Sequence, residues 1–166
     1  FDKWTGSVGL VQGNITITAN FMESFKVTFD ANGGMVATSS KDVASTSSSY
    51  GELPTPTRDG YTFNGWVNAE EGDSMRTIMP AKDLTYYATF KINSYVITFV
   101  DGNHDTIEVD GHRYCDTLEF GSKFLVPAFE SIEAWNEQAF EGWTPAIEAD
   151  TTVPARNITY SALYDG

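Results

Sequence analysis

The chain has a single cysteine, Cys115, among its 166 residues. It can form no disulfide within itself, and zinc sites built from several cysteines are excluded. One thiol fits a cytosolic protein and equally an exported bacterial protein that folds without disulfides. Cations are also scarce. Lys and Arg number 10 against 23 Asp and Glu, for a formal charge of −13. That balance argues against nucleic acid and anionic membranes as partners, because too few cations are present to neutralise phosphates. The acidity reads as a soluble, self-repelling surface, or as one that recruits a cationic partner. No apolar run approaches the ~20 residues of a membrane helix, so direct membrane insertion is not expected. No signal peptide is visible, and the start at Phe1 suggests a piece of a longer protein. A phosphate loop, a dinucleotide fingerprint and a basic-aromatic stripe are missing as well.

What the chain does have is a core-forming composition and repetition. Hydrophobic residues make up 41% and aromatics 14%, which is enough for real cores. Three segments align: Asn14–Phe21, Asp83–Phe90 and Asn157–Tyr164. In each, apolar residues alternate with polar ones, as in Leu84, Tyr86, Ala88 and Phe90. A period of two places that set on one face of a half-buried strand. A second strand follows the first two, with Phe25, Val27 and Phe29 matching Tyr95, Ile97 and Phe99. From Phe29 to Tyr50 and from Phe99 to Phe120 the separation is the same, 21 residues. Agreement of order, spacing and side-chain class marks an internal repeat. The organisation read from it is a C-terminal fragment of one repeat at 1–22, a complete repeat at 23–91 and a diverged second one at 92–166. Domains of roughly 70 residues bury only ~60% of their unfolded surface, so a few large side chains must carry them.

The pattern Phe-x-Gly-Trp occurs at Phe63–Trp66 and again at Phe140–Trp143, with a relative at Phe1–Trp4. On a flat strand its Phe and Trp would face opposite ways, whereas Gly65 permits a bulge that re-aims the Trp. The element therefore reads as core rather than as a stacking platform for sugars. The expected core comprises Trp4, Phe21, Val27, Phe29, Phe63, Trp66, Phe90, Ile97, Phe99, Phe140, Trp143 and Tyr164. In the second copy, Phe129, Ile132 and Trp135 recur at intervals of three, which predicts a short helix or helical turn.

Candidates for chemistry are few. Asp101, Asn103 and Asp105 have the alternate spacing of a calcium loop, but Thr106 and His112 stand where that loop needs Gly and Glu. A hairpin turn is the simpler reading, as for Asp30–Gly34 in the first copy. His104, His112 and Cys115 read as hairpin residues rather than metal ligands, and nothing marks Cys115 as a nucleophile. A glycosidase needs two carboxylates across a cleft, and no such pair recurs between copies. No cofactor is expected. If a ligand is bound, the loops that differ between copies are where contact belongs. These are the acidic loop 69–76 with Glu70, Glu71 and Asp73, the Ser-rich loop 38–49, and the insertion 128–139. Trp135 in that insertion has no counterpart in the first copy. The Asn-Ile-Thr sequons at Asn14 and Asn157 carry no weight in a bacterial protein.

Residues Val27, Phe29, Asp30, Asn32, Gly33, Gly34, Gly51, Pro56, Arg58, Gly60, Tyr61, Phe63, Gly65, Trp66, Leu84, Ala88 and Phe90 form one long ordered motif. On them, 23–91 resembles the Listeria–Bacteroides repeat of bacterial cell-surface proteins, related to the B-repeats of internalins. The resemblance implies a mainly β or α+β architecture of tandem β-grasp-like domains, with export and display on a bacterial surface. It supplies no catalytic residues. It implies a spacer or interaction module of an adhesin-like protein, whose partners are other repeats of the parent chain or a surface protein or glycan. The second copy keeps Phe140–Trp143 but lacks the double glycine and the Arg-x-Gly-Tyr lead-in.

Overall fold

The computed structural model describes residues 2–6, 13–14, 16–45, 49–74 and 82–166. Phe1, Ile15 and parts of the Ser-rich and acidic loops (46–48, 75–76) lie outside the described residues. The architecture is mainly β. In chain order the strands are β1 (Lys3–Thr5), β2 (Thr18–Asn20), β3 (Ser24–Asp30), β4 (Ser40–Ala44), β5 (Tyr61–Asn68), β6 (Leu84–Ile92) and β7 (Ser94–Val100). They continue with β8 (Glu108–Val109), β9 (His112–Arg113), β10 (Cys115–Glu119), β11 (Phe140–Thr144) and β12 (Ile158–Tyr164). The chain divides into two compact units, Phe1–Thr57 with Phe63–Phe90, and Arg58–Thr62 with Lys91–Gly166.

The first unit is built on the sheet order β4-β3-β6-β5. Its middle strands β3 and β6 are parallel, with Val27 beside Leu84 and Phe29 beside Tyr86. Part of the Ser-rich segment forms the antiparallel edge strand β4. The alternation seen in the sequence becomes burial: Val27, Phe29, Trp66, Leu84, Tyr86 and Ala88 share one core, with Phe63 and Phe90 packed against it. Tyr50 and Tyr86 bring a polar pair into that core, hydroxyl to hydroxyl at 2.9 Å.

The second unit repeats the plan as β10-β7-β12-β11, with β7 and β12 parallel. Ile97, Phe99, Ile107, Val153 and Tyr160 form its core, and Trp143 packs against it. The Phe-x-Gly-Trp question is answered in the same way in both units. Gly65 and Gly142 adopt φ of 130° and 153°, and the β11–β12 register shifts between Phe140 and Gly142. Both aromatics of each pattern consequently meet one cluster. Phe63 and Trp66 lie 5.5 Å apart with Phe29 5.0 Å from Trp66. Phe140 and Trp143 lie 4.9 Å apart with Phe99 4.8 Å from Trp143.

Two expectations are corrected. Trp4 and Phe21 are 63% and 75% exposed rather than core. They sit on or beside β1 and β2, three-residue strands that pair only with each other among the described residues. Tyr164 is half-buried at the end of β12 and stands at the margin of the second core, where its ring meets Phe140 at 6.1 Å and Trp135 at 5.9 Å. Of the short helix or helical turn expected from Phe129, Ile132 and Trp135, the structure has the helical turn, a single 3-10 turn at Phe129–Ser131. With Phe129 61% exposed and Ile132 in an extended conformation, no helical face forms.

Candidate functional site

Just after β7 the chain must reverse, and Asp101 provides the means. Its carboxylate Oδ1 accepts the N–H groups of Asn103 and Asp105, both at 2.9 Å. The Asp101 N–H donates to the Asp105 carbonyl at 2.9 Å, and His104 takes φ of 66°. Asp30 holds the corresponding turn of the first unit, accepting the Asn32 N–H at 2.8 Å. These carboxylates thus do the work of turn formation that Asp and Asn side chains do well. In the calcium spacing, Asp101 Oδ1 is engaged by amides, and Asn103 Oδ1 accepts the Trp135 indole N–H at 3.0 Å. Among the described residues no group of three His, Cys, Asp or Glu could hold a metal ion.

Trp135 is held by a two-residue reversal. Its N–H and carbonyl both bond Gln138, at 3.0 and 2.9 Å, while Asn136 and Glu137 adopt φ of 50° and 68°. Positive φ at both central positions is the signature of a type I′ hairpin turn. The indole lies against Gly102, where an added Cβ would come within 2.4 Å of two ring atoms. Its centroid is 5.9 Å from that of Tyr164. The loop is fastened to the end of β12, since the Asp165 N–H donates to the Ala139 carbonyl at 3.0 Å and the Ala139 N–H to the Asp165 carboxylate.

Together these pieces line an open-sided cavity of about 270 Å³, whose lining includes Asp101, Asn103, Glu108, Glu133, Trp135 and Tyr164. Burial raises the Tyr164 hydroxyl above its ordinary pKa; the Asp101 carboxylate adds to the shift, and a hydrogen bond with the Gly102 backbone opposes it. Glu108 and Glu133 are exposed at the cavity's edge. The site is acidic and aromatic, and all of it belongs to the second unit.

Of the candidate contact residues, Trp135 alone is in this cavity. Glu70, Glu71 and Asp73 belong to the first unit, in a turn organised by Asn68. Asn68 Oδ1 accepts the N–H groups of Glu70 and Glu71 at 2.8 and 3.2 Å. Glu70 is in turn paired with Lys82 at 2.6 Å, a hydrogen bond and charge contact that raise the Lys82 pKa. His112 stands 3.4 Å from Asp116, and Cys115 lies 3.5 Å from the Thr98 hydroxyl, both as hairpin residues. Sequence reasoning missed Gly102, Asn103, Glu108 and Glu133 as neighbours of Trp135. The available signal was Asn136, a residue that tolerates positive φ and so marks a tight turn beside the indole.

Comparison with known proteins bears on the first unit above all. Residues 25–89 match the family model of the Listeria-Bacteroides repeat domain. Internalin H of Listeria monocytogenes is 29% identical over 160 residues, covering 90% of this chain and 26% of that protein. A protein of Evansella cellulosilytica named "Putative membrane protein" is 29% identical over 185 residues, covering 99% of this chain and 26% of its own. The chain therefore spans about a quarter of the length of these relatives. No solved structure matches it.

Proposed function

We propose that this chain, whose residues 25–89 form a Listeria-Bacteroides repeat, is a non-catalytic tandem module of a bacterial cell-surface protein. It acts as a spacer and as a protein–protein interaction unit, with copies at 23–91 and 92–166 and a fragment of another at 1–22. The observation that carries this reading is the correspondence of the two sheets. Phe29, Phe63 and Trp66 of one core are matched by Phe99, Phe140 and Trp143 of the other. A constant scaffold with differing loops is how binding modules are built. The likeness to Internalin H and to a membrane-named relative supports a place at the cell envelope.

The spacer role is tested by inserting increasing numbers of copies between a surface anchor and an epitope on a bacterial host. Antibody access to the epitope should rise with copy number, and access that stays flat would sink the spacer role. A ligand-binding module for a glycan or a host matrix protein is the second reading, favoured by the placement of Trp135 at a cavity. A binding screen of the intact chain tests it, with the requirement that any hit be lost on Trp135→Ala.

A further inference from the structure

The cavity's chemistry is one-sided. Its carboxylates are acceptors, and among the described residues neither Glu108 nor Glu133 makes an ion pair or a side-chain hydrogen bond. Its donors are neutral. The Trp135 indole N–H is spent on Asn103, and the Ser131 hydroxyl on the Ala128 carbonyl at 2.6 Å. The Thr106 hydroxyl, which accepts a bond from Arg113 at 3.4 Å, and the Asn103 amide nitrogen remain as donors. A sugar presents neutral hydroxyls that act as donors and acceptors together, and brings no charge to set against the Glu108 and Glu133 carboxylates. A lysine or arginine head group presents donors only. It is also attracted to aromatic faces, which Trp135 and Tyr164 supply, and to a chain of net charge −13.

We propose that the cavity between the Asp101–Asp105 turn and the Trp135 loop is a recognition pocket for a cationic side chain of a partner protein. In it the Glu108 and Glu133 carboxylates take the charge, while Trp135 and Tyr164 take the alkyl stem or the guanidinium plane. Arg113, across the β8–β9 ribbon from Glu108, is the cation of this chain best placed to compete. This inference rests on the interaction half of the proposed function; the spacer half survives its failure.

The test follows the Trp135 indole N–H resonance of the intact chain during titration with Nα-acetyl-lysine methylamide and its arginine counterpart. The norleucine amide and a neutral N-acetylglucosamine oligomer form separate arms. Both cationic amides should shift the resonance saturably and the norleucine amide should not. The Glu108→Gln/Glu133→Gln double variant should bind them about tenfold more weakly. Both glutamates are exposed, so the variant should keep its fold, which an unchanged Trp143 resonance verifies. An equal response to norleucine would show an apolar slot, and saturation by the oligosaccharide alone a glycan site. Either result overturns the proposal, as does the lack of a saturable response to either cation.

Discussion

The Trp135 indole occupies the space that a side chain at position 102 would need: a Cβ on Gly102 would come within 2.4 Å of the ring. The tight turn after β7 and the insertion before β11 therefore constrain each other across more than 30 residues of sequence.

Gly102→Ala should push the indole out of its seat. The clashing atoms belong to the body of the ring, so no small rotation relieves them, and overpacking of this kind costs about 1–3 kcal/mol. Denaturant unfolding should show that loss, and acrylamide should quench Trp135 more readily. Unchanged stability together with unchanged quenching would contradict the packing described.

Phe99→Ala should cost about 3–5 kcal/mol. Its ring is 1% exposed and meets Trp143 at 4.8 Å and Tyr160 at 5.1 Å. Leu125 is 67% exposed, and its replacement by Ala should stay within about 0.5 kcal/mol. Thermal melts of the two variants side by side would reveal whether the aromatic cluster carries the unit, and equal melts would refute it.

In the first unit, Tyr50 and Tyr86 are 5% and 1% exposed and share a hydrogen bond. Each Tyr→Phe change should cost about 0.5–1.5 kcal/mol. The double variant should lose less than the sum, since both singles break one bond. A double-mutant cycle measures that coupling, and strict additivity would show that the hydroxyls act separately.

Alkaline pH should destabilise the second unit. Burial raises the Tyr160 hydroxyl above its usual 10.0, with Arg156 opposing. In that window the unfolded chain gives up its proton first and is stabilised relative to the folded one. The contribution is thus fully present below the unfolded pKa and is lost as pH rises through the folded value. Stability measured from neutrality to above pH 10.0 should fall, and less steeply in Tyr160→Phe. An identical slope in the variant would assign the effect elsewhere, with Tyr164 the next group to replace.

The cores were legible because strand alternation, a fixed order of elements and Phe-x-Gly-Trp all pointed to the same residues. Alternation names a face but cannot say whether anything covers it, so Trp4 and Phe21 were read as buried and are exposed. The three-residue spacing of Phe129, Ile132 and Trp135 is realised only as a helical turn at Phe129–Ser131. The Asn136–Glu137 pair forms a type I′ turn at that point, and local turn chemistry won over the period. The cavity was out of reach of sequence reading, since Asp101 and Trp135 come together only through the paths of two loops.

In each four-stranded sheet the first and last strands, β3 with β6 and β7 with β12, run parallel as neighbours. Tension reaching such a sheet through its chain ends pulls one strand from its start and the other from its finish, so they must slide lengthwise past one another. Their cross-strand hydrogen bonds are then stretched together in shear rather than opened one at a time like a zip. In the spacer role proposed above, a sheet wired in this way would resist unfolding as its two ends are drawn apart.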